Sequence, residues 1–507
     1  MNTLQKNVIA NYLGKIWSGG LNILLIPIYI KFLGIEAYGL VGFFASLSSV
    51  LGILDLGIGA TLNREIAKFS TYDESIKNQR NLVKTLGVVY WVIALLAFLI
   101  VFFSASFFSE SWLNNEVLDP DSSKFSIQMM AISIALNFPI SLYQGGLMGM
   151  QKQVLVNKIQ MFVSTFRNLG VIPVLLFIKP TIEIFFIWQV ISSMLSVFIF
   201  YFSIWKQLPK DFGGGFFEIS IIKNVWKYAV AVSLSAIIGI VLSQLDKIIL
   251  SKTLSLQSFG YYNVASNLAS SIWMLIIPFN SALFPKLVQL HESNSTDVLK
   301  NIFHKSSQLL SLILYPICSI LFFFSHEILI LWTHDINIAN NVHVILSLLV
   351  IGVMLNGMVS LPANLAPASG WPMLITYTNL LQSLLIIPLI FILVSLYESI
   401  GAAISSVIMN STYILFMVPY FFNKILKTER KRWYFNDIMI PLFVSFSISF
   451  CCKVFMPYTN STLILILWLS IIFFASFASI IIFFFIKKNE ISTDIRIVFF
   501  KIISKFK

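Results

Sequence analysis

Long apolar runs alternate with short polar connections from one end of this chain to the other, and each run is comparable to the ~20 residues that a helix needs to cross a bilayer. In reading order they fall at about Val8 to Phe32, Tyr38 to Leu62, Thr85 to Phe108, Ser126 to Met150, Val154 to Ile178 and Thr181 to Trp205. After a polar segment they resume at about Val225 to Leu250, Phe259 to Leu287, Gln308 to Trp332, Asn341 to Leu365, Met373 to Leu396, Ser399 to Phe421, Ile438 to Phe455 and Ser461 to Ile486. The runs are apolar on every side and show no two-residue alternation, so they predict helices rather than strands of a barrel. The expectation is an all-α polytopic membrane protein with about 14 transmembrane helices.

The chain repeats itself. Phe32-Leu33-Gly34-Ile35-Glu36-Ala37-Tyr38-Gly39 matches Thr253-Leu254-Ser255-Leu256-Gln257-Ser258-Phe259-Gly260 at an offset of 221, and the same offset carries Gly149 onto Gly370. Two agreements at one offset predict two six-helix parallel repeats plus two C-terminal helices. The divisions read this way are 1–205 for the first bundle, 206–224 for a linker containing Gly213-Gly214-Gly215, 225–423 for the second bundle, and 424–507 for two further spans and a basic tail. Residues 491–507 alternate apolar and basic positions, the pattern of an amphipathic helix lying on a membrane surface.

Composition agrees with this reading: 58% of residues are hydrophobic and 11% charged, against the ~25% charged usage of soluble domains. The net charge of +12 changes meaning once it is placed along the chain. With the N-terminus inside, roughly 26 of the 34 basic residues fall in inward connections, and only Lys31, Lys124, Lys179, Lys252 and Lys453 in outward ones. The charge is therefore a topology signal with both termini cytoplasmic, and nucleic acid is not an expected partner. Lys6 is followed by an apolar run without a small-residue cleavage site, so the first run reads as a retained span. Cys318, Cys451 and Cys452 make neither a disulfide framework nor a C-x-x-C site, and His291, His304, His326, His334 and His343 are not spaced for zinc, so no cofactor and no metal are expected. Asp119-Pro120-Asp121 reads as a solvated acidic turn.

Polar residues inside the spans form stripes at helical spacing. They are Asn11, Lys15, Ser18 and Asn22; Asn137, Ser141 and Gln144; Asn157, Gln160, Ser164, Arg167 and Asn168; Asn263, Asn267 and Ser270; Asn356, Ser360 and Asn364; and Thr376, Asn379 and Gln382. Such a stripe either hydrogen-bonds to a neighbouring helix or lines a wet cavity, and the set as a whole favours a cavity between the two halves. Full charges are more informative, because each costs about 2.5–3.5 kcal/mol at the centre of a bilayer helix on insertion scales. Arg167, Lys15, Asp55, Asp246 and Lys247 stand within spans. The alternatives to a functional role are internal ion pairing, for example of Asp55 with Lys15 or Arg64, and snorkelling to the interface, which is the expectation for Lys247. Arg167 has no acid within reach on its own span, and a guanidinium matches phosphate oxygens bidentately, so the ligand it suits is an anion.

Asn11-Tyr12-Leu13-Gly14 with Ile26-Pro27-Ile28-Tyr29, the Phe32 to Leu40 loop, Leu54-Asp55-Leu56-Gly57, Gly146-Leu147-Met148-Gly149-Met150-Gln151 and Gln244-Leu245-Asp246-Lys247-Ile248-Ile249-Leu250 followed by Phe259-Gly260-Tyr261-Tyr262 resemble the Wzx-type lipid-linked oligosaccharide flippases. These belong to the polysaccharide-transporter branch of the multidrug, oligosaccharidyl-lipid and polysaccharide exporter superfamily. The resemblance covers the whole chain and describes turns and packing more than chemistry. It implies a non-enzymatic protein of the bacterial inner membrane that carries undecaprenyl diphosphate-linked oligosaccharide repeat units, O-antigen or a related surface polysaccharide, from the cytoplasmic to the periplasmic leaflet by alternating access. The implied partners are that glycolipid, membrane lipid and the polysaccharide polymerase or ligase machinery. On this reading Arg167, Lys15, Asn157, Gln160, Asn11, Gln144 and Asn379 are candidate substrate-binding residues, and Asp55 is a candidate ion-coupling residue. The alternatives are a multidrug or cation exporter and a peptidoglycan-precursor lipid flippase of the same superfamily, with a polytopic polymerase or ligase as the enzymatic rival.

Overall fold

The computed structural model describes residues 3–55, 57–69, 76–209, 215–293, 295–371, 373–456 and 461–487, with the side chains of 3–9, 69, 76, 77 and 224–236 set aside. Gly213, Gly214 and the amphipathic segment 491–507 lie outside the described residues. The helices in order are α1 (Thr3–Leu33), α2 (Ile35–Leu51), α3 (Ile58–Phe69), α4 (Ile76–Phe103), α5 (Ala105–Phe107), α6 (Pro120–Gly149), α7 (Gln153–Phe177), α8 (Ile182–Gln207) and α9 (Ile219–Thr253). They continue as α10 (Leu256–Ser270), α11 (Trp273–Glu292), α12 (Thr296–Phe323), α13 (Ser325–Thr333), α14 (Ile336–Ala368), α15 (Met373–Thr412), α16 (Val418–Lys424), α17 (Arg430–Arg432), α18 (Ile440–Val454) and α19 (Thr462–Ile486). Twelve helical segments among the described residues are long and apolar enough to span a bilayer. The chain is an all-α, multi-pass membrane protein, and large apolar side chains such as Phe103, Leu384 and Phe474 remain on its surface, where a hydrocarbon phase would meet them.

The difference between twelve segments and the fourteen expected has a physical cause. Met373–Lys424 is one segment of 52 residues, over twice the length of a crossing. It reverses at Glu398, whose φ of 52° and ψ of −129° break the helix into two arms. Gln382 donates across them to Thr412 Oγ1 at 2.9 Å, and the Tyr413 hydroxyl donates to Asn379 Oδ1 at 2.5 Å. The eleventh and twelfth expected spans are therefore a helical hairpin. The seventh lies within α9, part of whose side chains is set aside. The second is shorter than expected, because a 3-10 turn at Gly52–Asp55 and a left-handed Gly57 (φ 65°) end it before Leu62. The ninth starts three turns earlier, at Thr296 rather than Gln308, since the polar residues there form helix as readily as apolar ones.

Contacts gather the chain into two compact units, Met1–Asn263 and Val264–Lys507. Repetition and compactness thus divide it at different places: α9 and the start of α10 belong to the second copy by sequence offset and to the first unit by packing. The matched loops supply the reason. A side chain at Gly39 would fall on the Leu256 carbonyl oxygen, and one at Gly260 on the Ile35 carbonyl oxygen. Ile35 and Leu256, like Gly39 and Gly260, are equivalent at the offset of 221, so the two copies of the loop meet reciprocally, as an isologous contact does.

Within the first unit α6 is central. It packs on α3, α4 and α8 around Leu62, Ile66, Tyr90, Leu142, Leu147 and Ile204. The α1–α7 contact is polar instead. Asn157 donates to Asn11 Oδ1 at 2.5 Å, Ser18 to Ser164 at 3.1 Å and Asn168 to Asn22 Oδ1 at 2.8 Å, each pair 146 residues apart. A constant offset means parallel helices in fixed register, closed at the far end by the Tyr29 hydroxyl on the Asn168 carbonyl at 2.8 Å. In the second unit α12 is the central helix, packed on α14, α18 and α19. It too is stitched to a parallel partner: Trp433 donates to Ser307 at 3.0 Å, Ser445 lies 3.0 Å from Ser319, and Lys453 pairs with Glu327, each 126 residues apart.

Two outcomes test this packing. Gly39→Val or Gly260→Val is expected to cost about 1–3 kcal/mol through overpacking, read as loss of the monodisperse peak in fluorescence-detected size exclusion, whereas Gly20→Ala, with open space around it, leaves the peak intact. A double-mutant cycle on Asn11→Ala and Asn157→Ala in detergent unfolding is expected to give a coupling of about 0.6 kcal/mol, and Gln160→Ala with Asn11→Ala none.

Candidate functional site

Arg167 is the candidate that carries a charge into a cluster of neutral partners on neighbouring helices. Its neighbour Asn168 faces α1, and the ~100° between successive helical residues turns the guanidinium the other way, toward α6 and α8. This corrects the single stripe drawn from the sequence: Asn157, Ser164 and Asn168 form one face of α7, and Arg167 begins another. Nη2 donates to Asn137 Oδ1 at 3.1 Å and to Ser193 Oγ at 3.3 Å. Asn137 in turn donates to Ser193 at 2.9 Å and to Ser133 at 3.4 Å, and Ser133 lies 2.9 Å from Ser193. The Arg167 carbonyl accepts from the Trp188 indole at 3.0 Å, and the Phe166 ring lies on that indole at 4.8 Å. Neutral oxygens position the guanidinium without neutralising it. Arg167 Nε is buried without a partner, and no carboxylate stands within ion-pair distance of the group among the described residues. Ser133 and Ser193 were not singled out by the sequence reading, since a serine in an apolar run carries no distinguishing signal.

Other candidates distribute differently. Asn11 and Asn157 bond to one another in the α1–α7 seam. Lys15 is exposed on α1, and Gln160 and Gln144 are half-buried, all three without hydrogen bonds among the described residues. Asn379 belongs to the second unit, where it accepts from Tyr413 and helps hold the hairpin closed. Asp55 ends the 3-10 turn and pairs with neither Lys15 nor Arg64, the ion pairs weighed against a functional role; it accepts from the Tyr90 hydroxyl and from Ser141 at 3.1 Å, while Arg64 lies 3.7 Å from Glu65. The carboxylate thus has neutral donors in place of a cation. Asp246 accepts similarly from Tyr262.

The second unit holds a cavity of about 570 Å³ between α11, α14 and the start of α15. Trp273, Asn280, Ser281, Asn356, Ser360 and Asn364 stand in its wall among apolar residues such as Ile277, Phe284 and Pro285, and among the described residues no charged group lines it. Asn356, Ser360 and Asn364 of the tenth-span stripe thus line this cavity within the second unit. Asn280 donates to Ser360 at 2.8 Å, and its Oδ1 is buried without a partner. Amides and hydroxyls, which both donate and accept, stand beside an indole in a mostly apolar wall. Among the described residues the first unit thus offers a cation without a carboxylate and the second a neutral pocket.

The chain is similar to a putative O-antigen transporter of Shigella flexneri, 22% identical over 375 residues that make up 74% of this chain and 87% of that protein. In structure it is similar to the lipid II flippase MurJ in an inward closed conformation, with a TM-score of 0.74 at 16% identity over 95% of this chain and 99% of that one. It is also similar to an inward-facing multidrug resistance MATE family transporter of the MOP superfamily, with a TM-score of 0.68 at 12% identity over 81% of this chain and 96% of that one. At such identities the structural likeness is one of fold. A MatE family model matches residues 231–392. Residues 4–291, more than half of the sequence, match the family model described as polysaccharide biosynthesis protein, and with the resemblance carried by its loop motifs the chain belongs to that family.

Proposed function

We propose that the protein is a flippase of the bacterial inner membrane that moves an undecaprenyl diphosphate-linked oligosaccharide from the cytoplasmic to the periplasmic leaflet, as a step in making O-antigen or a related surface polysaccharide. The observation that carries this reading is Arg167, a cation held by neutral oxygens and, among the described residues, opposed by no carboxylate. A buried charge left unpaired costs several kcal/mol, and a diphosphate is the cargo whose arrival removes that cost. Lys15, exposed on α1, adds attraction for the same anion. The polyprenyl tail stays in lipid. The name of the Shigella relative supports the substrate class, and the basic connections support a topology with both termini in the cytoplasm. A cationic drug fits poorly beside Arg167. A peptidoglycan precursor shares the diphosphate and is separated by experiment.

In a strain lacking the gene, Arg167→Ala restored to parental abundance is expected to lower surface polysaccharide at least about tenfold, the equivalent of one lost charge-assisted hydrogen bond, with lipid-linked glycan accumulating in the inner leaflet. Arg167→Lys keeps part of the activity, because it retains the charge and loses the fork. Unchanged polysaccharide in Arg167→Ala would refute the assignment, and accumulation of peptidoglycan precursor on deletion would transfer it to that lipid. For Asp55, the candidate for ion coupling, which has hydroxyl donors and no cation beside it among the described residues, Asp55→Asn is expected to make transport insensitive to collapse of the ion gradient; sensitivity equal to the parent's removes Asp55 from coupling.

A further inference from the structure

The second unit buries an ionisable cluster that the proposed function does not draw on. His304, on α12, and Asp437, just before α18, are each 0% exposed. His304 Nδ1 lies 2.5 Å from Asp437 Oδ2, and Nε2 lies 3.1 Å from Glu429 Oε2. Gln308, one turn along α12 from His304, donates to Asp437 Oδ1 at 2.9 Å. The other charges are near Glu429: Lys300 lies 3.6 Å from it and 3.9 Å from Asp297, and Arg432 acts electrostatically on His304. Phe303, Phe421, Phe422 and Trp433 pack around the cluster with ring centroids 5.3–6.3 Å apart, which keeps water from it.

Two features make this more than a buried ion pair. First, a neutral imidazole has one N–H and can serve only one carboxylate, turning a lone pair toward the other; an imidazolium serves both. With the ring neutral, one of the two carboxylates would face an imidazole lone pair in place of a donor, an arrangement that buried charges avoid. Second, Asp437 lies in a π-helical turn, Trp433–Met439, that widens the helix. Such turns replace the ordinary ladder of hydrogen bonds and recur where a side chain has a task. Glu429 is the exit, its side chain 13% exposed. Burial pushes its carboxyl up, but hydrogen bonds from Thr428 and His304, with the charges of His304 and Lys300, bring it on balance below the ordinary range.

We propose that Glu429, His304 and Asp437 form a proton-binding site: a proton taken from water past Glu429 onto His304 Nε2 makes the ring an imidazolium that clasps residues 429–437 to α12, and its return to water by the same edge releases them. The rest of that span is held separately. Ser445 and Ser449 lie 3.0 and 2.8 Å from Ser319, and Lys453 pairs with Glu327, so loss of the proton frees one end and leaves the other anchored. The clasp is closed at low and neutral pH and opens as pH rises.

The test uses the full-length protein with ¹⁵N-labelled histidine in lipid nanodiscs. As pH is raised, one of the five histidines is expected to keep both ring nitrogens protonated after the other four have each lost a proton, a signal absent from His304→Gln; five rings that titrate together would overturn the proposal. Hydrogen exchange over residues 429–439, corrected for intrinsic base catalysis, is expected to speed at least about tenfold as that signal titrates, and to be fast at every pH in His304→Gln. Exchange indifferent to pH in the parent chain rejects the clasp. Should His304→Gln fail to accumulate, Glu429→Gln is expected to move the half-point of the ring signal down by about one pH unit or more, and an unmoved half-point rejects the shared proton. None of these readouts involves transport, so they stand or fall apart from the glycolipid assignment.

Discussion

A polar side chain on a helix that crosses hydrocarbon has no water to bond with, and this one constraint organises both units. Each such group must find its partner on a neighbouring helix, and the place where the partner stands fixes the register. Hence the two parallel seams, α1 with α7 at 146 residues and α12 with the thirteenth span at 126, in which amides and hydroxyls do the work that apolar side chains do in a soluble bundle. Each bond is worth only about 0.6 kcal/mol on average, but a slip by one residue would unmake every bond of a seam together. The pairing is not complete: several buried polar atoms among the described residues stand without a partner, among them Arg167 Nε beside a cluster of neutral oxygens and Asn280 Oδ1 on a residue that lines a cavity.

The spans were legible because the bilayer sets a length scale that composition must obey, and helix ends were less so because hydropathy reports hydrocarbon, not helix. The eleventh and twelfth spans read correctly as two, with the reversal falling at Glu398, between the expected limits of Leu396 and Ser399. The break at Gly52–Asp55 lies inside an apolar run and left no trace in hydropathy. At the site, charge was legible and direction was not. Arg167 and Asp55 stood out as ions in apolar sequence, yet whether a residue faces α1 or α6 depends on one step of helical rotation, and Asp55 found tyrosine and serine in place of the cations considered for it. His304 was passed over for a related reason. Hydropathy began its span at Gln308 and the thirteenth at Ile438, which left His304 and Asp437 each just outside, among loop residues; only the packing of α12 against the π-helical turn joins them.

The reciprocal loops explain why a duplicated chain does not fall into units at its point of duplication. Helix limits in the second copy follow the first closely at the offset of 221: α4 falls on α12, α6 on α14, and α7 on the first arm of α15, which ends at its own reversal. Yet the loop between α1 and α2 meets its own duplicate between α9 and α10, glycine against carbonyl on both sides, and this close contact draws α9 into the first unit. Packing of a copy against itself needs the same small residues twice, which is why Gly39 and Gly260 both remain glycine.

Chemistry, by contrast, has not been kept twice. At the repeat offset Arg167 corresponds to Pro388, Asp55 to Ile276 and His304 to Val83, so none of these three ionisable groups recurs in the other copy. The cavity residues Asn280, Asn356 and Asn364 correspond to Gly59, Ala135 and Tyr143, of which Tyr143 lies in the apolar core of the first unit. Residues that let helices approach can recur, because the approach is the same in both copies. On the proposed reading, residues that meet the ligand have no reason to recur, because a glycolipid is itself unsymmetrical, anionic at its diphosphate and neutral along its sugars.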